Sequence, residues 1–455
     1  MWAIVLLLPF VLVGGAEFVL RIAGLGHDLE PLFIPSPQQP GYLQANPRAV
    51  TRFFTDPAQA PSVSIETAYF AARKAPGTFR VFVQGESSAA GFPYGLGASL
   101  AGVLDRRLEF AFPEREIEVI STAMSAVNSY ALLDFADEII AQQPDAVIVY
   151  VGHNEYLGIL GVGSSMRMAS TPRTTRAFLA VRELRLFQLI SVLYRKLASA
   201  PGTPSADSGD SLMARVAGER SIPLDSTLYR RGLEQFQSNL GELLEKYRRA
   251  GIPVFVGTLV SNERDQMPLA ILSAAQSDSA GAAKTAYLAA QDAETAEDFE
   301  SAGQGYAWAR DLDPLRFRAP SEFNAIVAST AATHGAGFVD VHKAFVGASP
   351  HGLVGSTLLL EHVHPNLDGY LLLADAFYDG LIESGLPGRP GVRVSRDEDR
   401  AWMPVSDVDR WFGEYKVRKI RSTWPFAVGG TSFQLPPAAS EAERIAQHLY
   451  QERIG

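Results

Sequence analysis

Val81–Gly91 reads VFVQGESSAAG. A short run of β-branched and aromatic residues ends at Gln84 and Gly85, and a serine pair followed by two alanines leads to Gly91. The first half has the composition of a buried strand and the second that of a helix start. The same alternation extends through the chain. Arg80–Gln84, Glu116–Thr122, Ala146–Val151, Pro253–Val260 and Gly337–Val341 read as strands, with helical patterns near 97–110, 129–142, 226–249, 321–333 and 367–383. Such alternation predicts an α/β domain, a parallel sheet with helices on both faces. Ser226 is placed to cap the long helix, and Gly251 with Pro253 to stop it.

The other segments attach to this domain, which takes residues 78–385. Met1–Ala16 (MWAIVLLLPFVLVGGA) carries no charged side chain, and apolar character resumes after Glu17. About twenty helical residues span a hydrocarbon core of ~30 Å. Residues 1–21 are therefore expected to be a transmembrane signal-anchor, with the main domain on the extracytoplasmic side. A cleaved signal peptide with Gly14 and Ala16 at the small-residue positions is the alternative. Residues 22–77 read as a juxtamembrane lead-in with few regular features. Residues 175–198 (TRAFLAVRELRLFQLISVLYRKLA) form a basic, apolar-striped helix. It reads as a domain helix with a solvated face, the alternatives being a membrane-surface helix or a lid. Residues 199–222, rich in Pro, Gly, Ser and Asp, read as a flexible linker. Residues 262–315 are an Ala-rich helical insertion whose end, Tyr306–Pro314 (YAWARDLDP), resembles the second helix and turn of a tetratricopeptide repeat. A lone repeat cannot bury its own face, so it must pack on the main domain or on a protein partner. Residues 386–455 form a C-terminal extension with Trp402, Trp411 and Trp424. Its stretch Lys416–Trp424 (KVRKIRSTW) is expected to pack on the domain, an anionic glycan or lipid head group being the alternative occupant.

Composition excludes several classes. The formal net charge of −10 argues against nucleic-acid binding, which relies on basic surfaces. With no cysteine, disulfides, thiolate zinc sites and cysteine nucleophiles are ruled out. No His/Asp/Glu grouping has metal-ligand spacing, so neither metal nor cofactor is expected.

Three stretches carry candidate chemistry, each with an ordinary alternative. Ser87 sits where a strand gives way to a helix, exposed at the sheet's C-terminal edge beside free helix N–H groups; taken alone, it could be an N-cap serine. Val149–Gly158 (VYVGHNEYLG) follows a buried strand and puts Asn154 on a loop at the same edge, where its amide can donate to an oxyanion; a turn-forming Asn is the bland reading. Leu360–Asn366 (LEHVHPN) opens a C-terminal helix. There His364 can accept a serine proton, and Glu361, three residues earlier, can hold its Nδ1–H; a surface loop His and Glu is the alternative. His153 and His362 flank the site as pocket-lining or solvent-facing histidines. Ser88 reads as a helix-start polar residue and His342 as structural.

Together these stretches resemble the SGNH (GDSL-like) hydrolase family, whose blocks occur here in the family's order. Gly85-Glu86-Ser87 stands for the G-D-S block, Gly152-His153-Asn154 for G-x-N, and Glu361-His362-Val363-His364 for D-x-x-H. The second block best matches Ser121–Ser129 (STAMSAVNS), with Ala123 at the family's glycine. The resemblance covers roughly 78–160 and 225–384 and implies a flavodoxin-like sheet with the site at its C-terminal edge. It implies that Ser87 attacks an ester carbonyl, His364 relays the proton and Glu361 orients His364. The N–H of Ser87, the N–H of Ala123 and the amide of Asn154 would hold the oxyanion. Glu86, Ala123 and Glu361 depart from the family's Asp, Gly and Asp, and Asp340 competes with Glu361. The implied substrate is an O-acyl ester of a glycan or lipid at the cell envelope. Alternatives are acyl transfer by the same site and a non-catalytic membrane-anchored scaffold.

Overall fold

The computed structural model describes residues 2–453 apart from 55, 67–68, 168–170, 199–211, 274–276, 393–394 and 428–432. The predicted strands form one five-stranded parallel sheet: β1 Phe79–Gly85, β2 Ile117–Ser121, β3 Ala146–Tyr150, β4 Val254–Gly257 and β5 Gly337–Val339. Their order is β2-β1-β3-β4-β5, the flavodoxin-like arrangement. All residues of β1 and β3 are buried, as expected for central strands covered on both faces. Removing side chains such as Val81, Phe82 and Val83 from water contributes about 1.5–3 kcal/mol each. The helices Leu100–Ala111 and Leu367–Glu383 pack together as one layer, and Ser129–Ile140, Thr227–Arg249 and Ser321–His334 as another. Ser226 does cap the long helix, accepting from Tyr229 N–H at 3.1 Å.

Strand order reverses between β1 and β3, because the chain leaves β1 for β2 on one side and returns to β3 on the other. Loops leaving the C-terminal ends of these neighbours diverge and open a crevice there. Gly85 ends β1 under tight constraint: a Cβ there would lie 2.5 Å from both Tyr150 O and Ala89 Cβ.

Several peripheral expectations need correction. Among the described residues no helix is long and apolar enough to cross a membrane, so the spanning anchor expected over 1–21 is not supported. Trp2–Ile22 is helical, and the Glu17 carboxylate near its end accepts the Leu186 N–H at 3.0 Å and pairs with Arg21 at 2.7 Å. The stretch 175–198 is not one helix but parts of two, Pro172–Val181 and Arg185–Ala198. They separate where Arg182 turns inward to meet Asp134 at 2.6 Å. The lead-in is more regular than its sequence suggests. Phe33–Pro35, Tyr42–Ala45 and Phe70–Ala71 form a three-stranded antiparallel sheet. Its Phe33 and Phe70 rings pack on each other at 5.2 Å and against Phe82 of β1.

The insertion is a helical hairpin, Asp278–Thr295 and Phe299–Leu312, closed tightly where Gly305 meets Ala290. Its apolar face buries Tyr287, Ala290, Ala302, Tyr306 and Ala309 around Leu353 of the main domain. Arg264–Glu294 (2.5 Å) and the buried Arg310–Glu263 pair fasten it. Its face is thus met within the chain. Of the expected linker, 199–211 lies outside the described residues, whereas Leu212–Val216 is a short helix followed by a bridge from Ala217 to Ser164. The C-terminal extension folds into Arg396–Trp402, Asp407–Arg421 and Glu441–Arg453. It packs on the domain as expected: Trp402 stacks on Phe110 at 4.0 Å, and Lys416 donates to Pro93 O at 2.7 Å.

Candidate active site

Ser87 is the first residue of a one-turn helix, Ser87–Ala90, that follows β1 directly. Its N–H therefore belongs to the donors a helix leaves unpaired at its start. Ser88 does not share this position; its hydroxyl is buried and donates to Val363 O at 3.2 Å, joining the turn to the distant loop that carries His364. That loop is itself closed by the pairing of Leu359 with Pro365. Asn366 then caps the following helix by accepting from Gly369 N–H at 2.9 Å. The outcome is a hydrogen bond of 2.7 Å between Ser87 Oγ and His364 Nε2.

His364 Nδ1 meets one oxygen of Glu361, and the other oxygen meets His362 Nδ1. Glu361 is fully buried. Burial alone would raise its carboxyl, but the two imidazoles with their hydrogen bonds outweigh this and hold it well below the usual carboxylate range. The carboxylate is thus charged, and a charged acceptor keeps the ring proton on Nδ1 and the lone pair on Nε2. Asp340, the competing candidate, is engaged elsewhere. It caps the helix Val341–Ala348 by accepting from Lys343 N–H at 3.0 Å and from Thr258 Oγ1 at 3.2 Å. Glu361, His362 and His364 offer ligand atoms within 4.8 Å of one another, so groups that spacing discounted as a metal set do converge. A cation among them would have to displace the ring protons that the carboxylate holds.

Ser87 and His364 open on a cavity of about 120 Å³. Asn154 lines it from the loop after β3, as expected. That loop is held by Glu86, which the sequence marks only as a departure from the family's Asp. The carboxyl of Glu86, beside Ser87, accepts the N–H groups of Gly152 and Asn154 at 3.1 Å each. It is wholly buried, and burial pushes it up to about 8 against the lowering effect of those N–H groups. Glu86 thereby ties the turn after β1 to the turn after β3 across the switch point.

Ala123, expected to donate to the oxyanion, lies off this cavity. Its N–H is directed at Ser121 Oγ, 3.3 Å away, and the residue is sealed in the interior rather than on the cavity. The same loop reaches the cavity two residues later with Ser125 and Ala126. Ala126 has a φ of 63°, the left-handed region that favours glycine. His153 does not line the cavity. Its Nδ1 accepts the Ala319 N–H at 3.2 Å, and burial, with His362 and His364 nearby, lowers it to about 3. His362 does line the cavity, and His342 lies on a separate one.

Sequence reasoning missed most of the cavity walls. Leu212, Met213 and Val216 come from the presumed linker, Ile420 and Thr423 from the C-terminal extension, and Phe317 from beyond the insertion. An apolar triplet within a polar stretch was the available signal for the first group. A larger cavity of about 470 Å³ lies between the insertion and His351, with neither serine nor threonine on its walls.

No family model and no curated protein matches the chain. Among solved structures, an acetylxylan esterase from Geobacillus stearothermophilus aligns at 15% identity and a TM-score of 0.35, over 70% of this chain and 97% of that one. An α/β hydrolase from the metagenome of Lake Arreo aligns at 14% identity and a TM-score of 0.34, over 66% and 94%. A GDSL-like lipase from Bacteroides thetaiotaomicron aligns at 12% identity and a TM-score of 0.32, over 67% and 88%. Likeness at this level carries no argument about what the chain does.

Proposed function

We propose that this protein is a serine ester hydrolase that removes a short acyl group from an O-acyl ester. The observation that carries the reading is the continuous relay Ser87 Oγ–His364 Nε2, with His364 Nδ1 on a buried carboxylate, opening on a cavity. In this mechanism Ser87 Oγ attacks the acyl carbonyl while His364 Nε2 takes its proton. The oxyanion that forms is held by the Ser87 N–H, the backbone around Ser125 and Ala126, and the Asn154 amide. His364 returns the proton to the leaving alkoxide. Water then repeats the sequence on the acyl-enzyme, with His364 as base and Ser87 as leaving group. The cavity is small and its walls are mainly apolar (Phe92, Met213, Val216, Phe317), which suits an acyl group of a few carbons.

The test uses the full chain. A short-chain aryl ester should be hydrolysed, and a fluorophosphonate should label Ser87. Ser87→Ala should lower kcat on the order of 10⁴-fold or more with an unchanged melting temperature. Undiminished turnover in that variant, or labelling elsewhere in the chain, would overturn the reading.

A further inference from the structure

His362 has no part in the relay, yet it is built with the same care as His364. It follows Glu361 directly, is 4% exposed, and takes the second oxygen of the same carboxylate on its Nδ1. Phe426 meets its ring edge-on at 5.3 Å and Phe317 at a right angle at 6.4 Å. With Nδ1–H fixed on Glu361, the lone pair must lie on Nε2. Burial, outweighing the pull of Glu361, favours the neutral ring. That Nε2 accepts no hydrogen bond among the described residues, nor is it one of the buried polar atoms sealed without a partner. His362 lines the same cavity as Ser87 and His364, and the two imidazole centroids are 5.7 Å apart.

A neutral imidazole locked in this tautomer is a pure acceptor at its free nitrogen. Much of the surrounding wall is apolar, so the complement it calls for is a donor brought by the ligand. We propose that His362 Nε2 accepts a hydrogen bond from a substrate hydroxyl on the carbon next to the one bearing the ester, so that the site reads partially acylated polyols. This rests on the hydrolase reading above and specifies its substrate. The spacing fits. With the ester oxygen in reach of His364, a neighbouring hydroxyl can come within about 2.8 Å of the second ring across the 5.7 Å between centroids. A site built to bond a hydroxyl discriminates against the analogue lacking it, because the buried acceptor is then left unpaired.

The experiment compares glycerol 1-acetate with propyl acetate, which lacks the hydroxyls, in the full chain and in two variants. His362→Asn keeps a donor to Glu361 but withdraws the acceptor from the cavity. His362→Gln places an acceptor at the Nε2 position but gives up the Glu361 contact. Both variants should be slower on both esters. The wild-type preference in kcat/KM for glycerol 1-acetate should fall at least tenfold in His362→Asn and persist in His362→Gln. An unchanged preference in His362→Asn refutes the inference, as does an equal loss in both variants, and each leaves the hydrolase reading intact. A wild-type protein that cleaves neither ester nor an aryl acetate refutes that reading and this inference with it.

Discussion

Replacing Glu361 with glutamine tests the relay at its least exposed point. Glu361 accepts two ring protons, one on each oxygen, from His362 and His364. A glutamine offers one acceptor oxygen and one amino group. One of the two rings must then turn its lone pair to Nδ1 and carry its proton on Nε2. Where that ring is His364, its Nε2–H faces Ser87 Oγ and cannot take the serine proton. A wrong-tautomer histidine of this kind costs about 10⁴-fold in kcat, equivalent to about 5.5 kcal/mol of barrier. Where the ring is His362, His364 keeps its tautomer but faces a neutral amide in place of the charge that stabilises its imidazolium, a smaller loss on the order of 10²-fold. The expected loss in Glu361→Gln is therefore between about 10² and 10⁴-fold, set by how the amide partitions between the rings. The structure also specifies a rescue. In Glu361→Gln combined with His362→Phe no second ring competes, so the amide oxygen can turn to His364 and kcat should recover at least about tenfold over the single variant. Steady-state hydrolysis of an aryl acetate, with melting temperatures for each protein, measures both. A Glu361→Gln enzyme within threefold of wild type would refute the orienting role. A double variant no better than the single one would refute the shared-carboxylate account.

Other outcomes follow from the same geometry. On the proposed mechanism the Asn154 amide meets charge that exists only in the transition state, so Asn154→Ala should lower kcat by about 10²–10³-fold with little change in KM, seen in steady-state kinetics. Glu86 is pushed up to about 8 when folded, against an ordinary value near 4.5, so the folded chain holds a proton that the unfolded chain releases. Its contribution to stability is full below the ordinary value and is lost as pH rises toward 8, at up to about 1.4 kcal/mol per pH unit. Glu86→Gln keeps an acceptor for Gly152 and Asn154, and urea titrations across that range should show a flatter pH dependence than wild type. Met213→Trp should fill the cavity wall and lower kcat/KM for a butyrate ester at least about tenfold more than for an acetate; equal losses on the two esters would remove Met213 from the acyl pocket.

The central sheet was legible because its signals are local and periodic. Strands as apolar as Ala146–Tyr150 and helices capped as Thr227–Arg249 is by Ser226 carry their own start and stop chemistry. Ser87, His364, Glu361 and Asn154 were legible as types at ordered spacings, and the fold brings them to one crevice. What stayed hidden depends on tertiary placement. Ala123 and Ala126 are both alanines in one loop, and only the backbone angle of the second and the engaged N–H of the first tell them apart. The role of Glu86 lies in two N–H groups some 66 residues away, which no local pattern records. Glu17 interrupts an apolar run in the sequence, but its partner on the neighbouring helix is invisible there. Leu212–Val216 sits in a stretch whose composition reads as flexible, because composition averages over the few apolar residues that dock.

The walls of the cavity have a different origin from its floor. Ser87 and Asn154 follow two adjacent sheet strands, whereas the short helix Leu212–Val216 and the end of Asp407–Arg421 line the cavity from segments outside the sheet. On the proposed reading, the choice of acyl chain and the reactivity lie in separable stretches of the gene. If the proposed hydrolysis holds, descendants of such a chain can change which acyl group they admit by drift in two peripheral segments, while the Ser87–His364–Glu361 contacts beneath are inherited untouched.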